Sequence, residues 1–128
     1  MQIVGQQIIV ALTHEGAATD DYDYDAWDGY NANRRRLFST IRQGRVSNTI
    51  FLSGDSHAAW SSDLIEAELV NSTSYDPKTG KGSLAVEFAG TAVTSQSSYG
   101  KGLTDAQYVA RAKYLTQINR GLQFAEGK

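Results

Sequence analysis

Hydrophobic positions follow three different periods along this chain, and the changes of period mark out its elements. From Gln2 to Leu12 the β-branched residues Ile3, Val4, Ile8, Ile9 and Val10 predict a strand. The stretch from Thr13 to Tyr30 has no period and reads as a loop. Leu37, Phe38 and Ile41 then recur at helical spacing, which predicts a helix over Asn31 to Gln43, with Asn31 as cap and Gly44 as stop. Asn48 to Leu52 is a short apolar run without polar alternation, the pattern of a strand buried on both faces. Asp63 to Val70 alternates loosely, Tyr75 to Gly80 reads as a turn, and Ser83 to Ala89 as a further strand. Gly90 to Gly102 is rich in Ser, Thr and Gly and predicts a loop. Thr104 caps the clearest helix, to Asn119, with Tyr108, Ala112, Leu115 and Ile118 as its apolar stripe. Gly121 to Phe124 alternates like the start of a strand. Mixed strands and helices place the chain in the α/β class, with α+β as the alternative. A chain that opens inside a strand at Gln2 and stops just after another, with no signal pattern after Met1, reads as part of a larger domain.

Composition narrows the function. The chain has 128 residues, 41% of them hydrophobic and 20% charged, as expected of one globular domain. A net charge of −2 gives no electrostatic case for nucleic acid. Its longest apolar stretch, Ile8 to Leu12, is far short of the roughly 20 residues that span a bilayer. Without cysteine there is neither a disulfide framework nor a thiolate metal site.

Three stretches can carry chemistry. In FLSGDSHAAW, an apolar run ends on Gly54, Asp55, Ser56 and His57. A carboxylate and an imidazole at the carboxyl end of a strand are candidate metal ligands, and Gly54 would allow the turn that brings them together. Those four residues are equally compatible with an ordinary polar turn. A serine nucleophile at Ser56 ranks below both, because the two histidines, His14 and His57, are poorly spaced to serve it. The second stretch holds Asp20, Asp21, Asp23, Asp25 and Asp28. Ala26 stands where a calcium loop of the EF-hand type needs glycine, which excludes that motif. Asp20 to Asp23 read as a solvated loop, whereas Trp27 and Tyr30 imply a packed turn that places Asp28. The third is Arg34 to Arg36, which could bind an anion, although pairing with the neighbouring aspartates is the simpler reading for at least two of them. The loop Thr94 to Ser98 could line a pocket.

In order, GQQ, DAWDGYNANRRRL, NTIFLSGDSHAAWSSDL, VEFAGTAVTS and INRGLQFAE are spread over residues 5–126. This series resembles the C-terminal part of the catalytic domain of PhoD-like phosphatases, the alkaline phosphatase D family of metallophosphatases. The elements WDGY-x3-R, SGDxHAAW and EFxGTxxTS carry the resemblance. It implies part of a calcineurin-like β-sandwich flanked by helices, and hydrolysis of phosphate monoesters or diesters at a cluster of iron and calcium. It further implies that Asp55 is a metal ligand and His57 an active-site residue, with Asp28, Tyr30 and Arg34 beside the site. A phosphate ester is then the substrate, and the whole protein is periplasmic or secreted. The family's earlier motifs, which supply most of its metal ligands, have no counterpart here, so the expected site is incomplete in these residues alone. The alternative is a non-catalytic binding or structural domain that keeps the same shell.

Overall fold

A computed structural model of the chain describes residues 1–16 and 23–128. Among the described residues, five strands form one sheet: β1 Gln2–Gly5, β2 Thr49–Ser53, β3 Ala59–Leu64, β4 Ala85–Ala89 and β5 Leu122–Glu126. Their spatial order is β1-β2-β4-β3-β5. Strands β1, β2 and β4 run parallel, while β3 lies antiparallel between β4 and β5. Two helices, α1 Asn31–Gln43 and α2 Asp105–Ile118, complete a mixed α/β unit. Their residues Phe38, Ile41 and Leu115 pack with Phe51, Trp60 and Leu64 into one core. Fully burying a side chain such as Phe38 or Phe51 contributes about 2–3 kcal/mol.

Local chemistry explains most boundaries. Thr104 closes a capping box with Gln107, so α2 starts where the sequence places it. Helix α1 has the expected span, but Tyr30 takes the capping position and Asn31 is its first helical residue. Gly44 is not left-handed, and Arg45, at φ 50°, makes that turn instead. The loosely alternating segment is a correction: β3 ends at Leu64, and Ala67–Leu69 is a short 3-10 turn. Strand β2 is also not buried on both faces, since Leu52 is 47% exposed. The two helices lie on the other side of the sheet. Register places Ile3, Ile50, Leu52, Val86, Phe88 and Phe124 together on the outer face.

The strand expected over Gln2 to Leu12 stops at Gly5, and the reason is a change of partner. Gln6 still donates to the Leu52 carbonyl, but residues 9–14 leave the sheet and cross the core as a strap. Side chains replace the missing ladder. The buried Glu87 carboxylate accepts from the Val10 N–H at 2.9 Å and the Ala11 N–H at 2.8 Å, and from the Ser53 hydroxyl. Arg34 Nε donates to the Val10 carbonyl at 2.7 Å, and Asn119 pairs with both the N–H and the carbonyl of His14. A buried backbone needs such partners, because each unpaired polar group costs about 1–3 kcal/mol.

Two outcomes follow from this packing. Glu87→Ala orphans two buried N–H groups and is expected to cost roughly 2–5 kcal/mol, read as a lower urea midpoint at constant m-value. A loss below about 0.5 kcal/mol would show that the strap does not depend on it. The paired change Leu52→Lys with Phe88→Glu puts opposite charges on facing positions of the apolar outer face. It is expected to reduce self-association in sedimentation runs without lowering the melting temperature.

Candidate functional site

Strand β2 delivers the chain to residues 54–57, where the backbone reverses direction. Asp55 at φ 68° and His57 at φ 54° both adopt left-handed conformations. Each costs about 1–3 kcal/mol for a residue with a side chain, strain that persists only where the surroundings enforce it. Gly54, expected to supply the turn, is not left-handed. The enforcing groups are visible. Ser56 donates its hydroxyl to the Ala58 carbonyl and accepts from Trp60 Nε1 at 2.8 Å, so it braces the turn. The edge of Trp60 meets Tyr99, with centroids 5.9 Å apart. His57 Nδ1 lies 3.1 Å from the Gln96 carbonyl. A carbonyl only accepts, so Nδ1 carries the proton and, in the neutral ring, Nε2 keeps its lone pair.

Asp55 and His57 share a cavity of about 220 Å³ with Thr13, Glu15, Asp23 and Ser98. Three carboxylates and an imidazole suit a hard or borderline cation by donor chemistry. Among the described residues, however, no three His, Cys, Asp or Glu side chains lie close enough to hold a metal ion. Asp23 is exposed, as the solvated-loop reading expects, and it also borders this cavity. Asp20 and Asp21 lie outside the described residues. The serine-rich loop contributes Ser98 and the Gln96 carbonyl, as its composition suggested.

The WDGY element does not join the cavity directly. Asp28 sits buried in the short 3-10 turn Trp27–Tyr30 and accepts from the Thr13 N–H at 3.3 Å. Burial pushes its carboxyl up to about 7, opposed by the Thr13 hydrogen bond and the Arg34 charge. Arg34 is buried on α1, donates to the Val10 and Ile65 carbonyls, and lies 4.4 Å over the Phe38 ring. Burial lowers its guanidinium to about 10. It borders a second cavity of about 250 Å³, with His14, Asn119 and Arg120. Of the neighbouring arginines, Arg35 pairs with Glu68 at 3.0 Å, not with the aspartates the sequence suggested. Tyr30 is exposed at a shallow groove beside Gln6 and Gln7. Asp28 and Arg34 therefore do not line the cavity; they hold the strap, at Thr13 and Val10. Glu15 and Glu87 were missed by reading the sequence. A signal for Glu87 existed, as it takes the inward register between Ala85 and Ala89.

Because Asp28 binds its proton more tightly in the folded chain, the stabilisation is full below the ordinary value of 3.8 and lost as pH rises to about 7. Asp28→Asn, which keeps an acceptor for Thr13, removes that dependence. Stability of the native chain relative to the variant should fall between these limits and level off above them. Parallel stability curves for the two chains would refute the assignment.

Three comparisons place this geometry among known proteins. A sequence model of PhoD-like phosphatases matches residues 1–128. The chain is 36% identical over 95 residues to alkaline phosphatase D of Bacillus subtilis (strain 168), which covers 73% of this chain and 15% of that protein. A solved structure of PhoD superposes with a TM-score of 0.71 at 28% identity, over 98% of this chain and 22% of that one. The chain thus spans less than a quarter of the length of either relative.

Proposed function

The chain belongs to the PhoD-like phosphatase family, and from that premise we propose that Asp55 and His57 form one edge of a metal-dependent phosphoric ester hydrolase site. The observation that carries this reading is the charge of the cavity. Glu15, Asp23 and Asp55 surround it, and three carboxylates repel a phosphate ester unless cations stand between. Iron and calcium are the cations that the family resemblance implies. Bound there, they would polarise the phosphoryl oxygens and lower the pKa of a coordinated water.

The residues of this chain have separable tasks in that proposal. Asp55 supplies an oxygen ligand. His57, its Nδ1 held on the Gln96 carbonyl, leaves Nε2 as the ring atom available to the metal or to a proton on the reacting oxygens. The strap sets the opposite wall, where Thr13 hangs from Asp28. The remaining metal ligands come from the portion of the family's length that this chain does not span. The bare apolar face of the sheet favours this reading over a self-contained, non-catalytic domain, because a second sheet of the expected sandwich would cover it. The substrate is a phosphate monoester or diester, and the whole protein acts outside the cytoplasm, as the family resemblance implies.

Metal content and hydrolysis of an aryl phosphate and an aryl phosphodiester, at alkaline pH with calcium and iron supplied, test the proposal. In the whole protein, Asp55→Ala is expected to abolish metal uptake at this position, and His57→Ala to lower kcat by about 10²-fold or more. Unchanged kcat/KM in both variants would sink the assignment. The 128-residue chain alone is expected to bind metal weakly and to turn over little, and a full rate from it would show that the site is complete without further ligands.

A further inference from the structure

A second recess adjoins the carboxylate cavity and has the opposite chemistry. Gln6, Gln7, Ile8, Trp27, Tyr30 and Asn33 line a shallow groove of about 220 Å³. No carboxylate, amine or guanidinium is among these residues. Ile8 borders both recesses, and a methyl group added to Gly54, at the cavity, would lie 3.7 Å from the Gln7 carbonyl oxygen. Trp27 is half-buried, and its backbone N–H donates to the Ile9 carbonyl at 3.3 Å. Tyr30 is 55% exposed, and among the described residues its ring stacks on no other. Two aromatic rings with open surface, flanked by amides that both donate and accept, match a planar, uncharged, hydrogen-bonding ring. They do not match a phosphate, which needs positive charge.

Resting on the hydrolase reading above, we propose that this groove is the subsite for the organic moiety of the phosphate ester, and that it selects a planar ring such as a nucleobase. The phosphoryl group would lie in the carboxylate cavity beside the cations, with the alcohol portion directed past Ile8 onto Tyr30 and Trp27. Gln7 donates its backbone N–H to the Gln6 side-chain carbonyl, which leaves the Gln6 amide N–H groups for the ring edge. The site thereby separates charge recognition from ring recognition.

Adenosine, which has the ring but no phosphate, is the probe. Added to the chain, it is expected to quench Trp27 fluorescence, and Trp27→Phe should remove the quench. Tyr30→Ala should raise its Kd about tenfold, the order expected for one lost stacking partner, and Tyr30→Phe should restore binding. No quenching, or a Kd that Tyr30→Ala leaves unmoved, overturns the subsite. Ester hydrolysis separates the two proposals. Nucleoside binding in a whole protein that hydrolyses no phosphate ester would keep the groove and sink the hydrolase. In an active whole protein, Tyr30→Ala should lower kcat/KM for an aryl phosphate about tenfold more than for methyl phosphate, and equal losses would sink the groove alone.

Discussion

The carboxylate of Glu87 is the interaction on which the rest of this structure depends. It lies 1% exposed at the centre of the sheet, where an unpartnered charge would be expensive. What makes it tolerable is a set of donors that have no other use: two N–H groups of the strap and the hydroxyl of Ser53. The dependence runs both ways. A strap outside any ladder needs fixed acceptors, and a buried carboxylate needs fixed donors. Since Ser53 immediately precedes the Asp55 turn, one side chain sets both walls of the cavity.

Arg34 and Asp28 extend this arrangement outward. Both are buried, and both hold strap backbone, and burial disfavours the charged form of each, raising the Asp28 carboxyl and lowering the Arg34 guanidinium. The site itself is the counterpart of that rigid support. Two residues with side chains are kept left-handed in one short turn, a geometry the bracing from Trp60, Tyr99 and Gln96 can sustain. Rigid polar clamping behind and strained presentation in front would suit the proposed cation site, because ligand positions must not drift with an ion.

Periodic elements were legible in the sequence, and solitary polar groups were not. The stripe of α2 and its Thr104 cap read directly, because the helical period and capping chemistry are local. Strand β2 was found but judged doubly buried, since an apolar run does not reveal that its outer face stays open. Strand β3 escaped because Ser61, Ser62 and Asp63 hide the alternation of Trp60 and Leu64. The strap was misread as strand because β-branched residues serve any extended buried backbone, paired or not. Asp55 and His57 fall just past the end of a strand, as their position in the sequence suggests, and both line one cavity. Glu15 and Asp23 reach the same cavity from distant loops, which no spacing rule encodes.

Several of the hydrogen bonds that seat the strap join residues far apart in the chain: 76 and 77 positions for Glu87 and 105 for Asn119, against 24 for Arg34 and 15 for Asp28. During synthesis, then, residues 10–14 are made well before Glu87 and Asn119, and until those partners exist the strap is held only in part, by Asp28 and Arg34. Helix α1 and its neighbouring turn can form meanwhile from local contacts. The Val10 and Ala11 N–H groups, in a stretch rich in β-branched residues, must wait unpaired over that interval. Closure of the cavity accordingly comes after α1 can form, and residues 9–14 are most exposed to mispairing before β4 and α2 have been made.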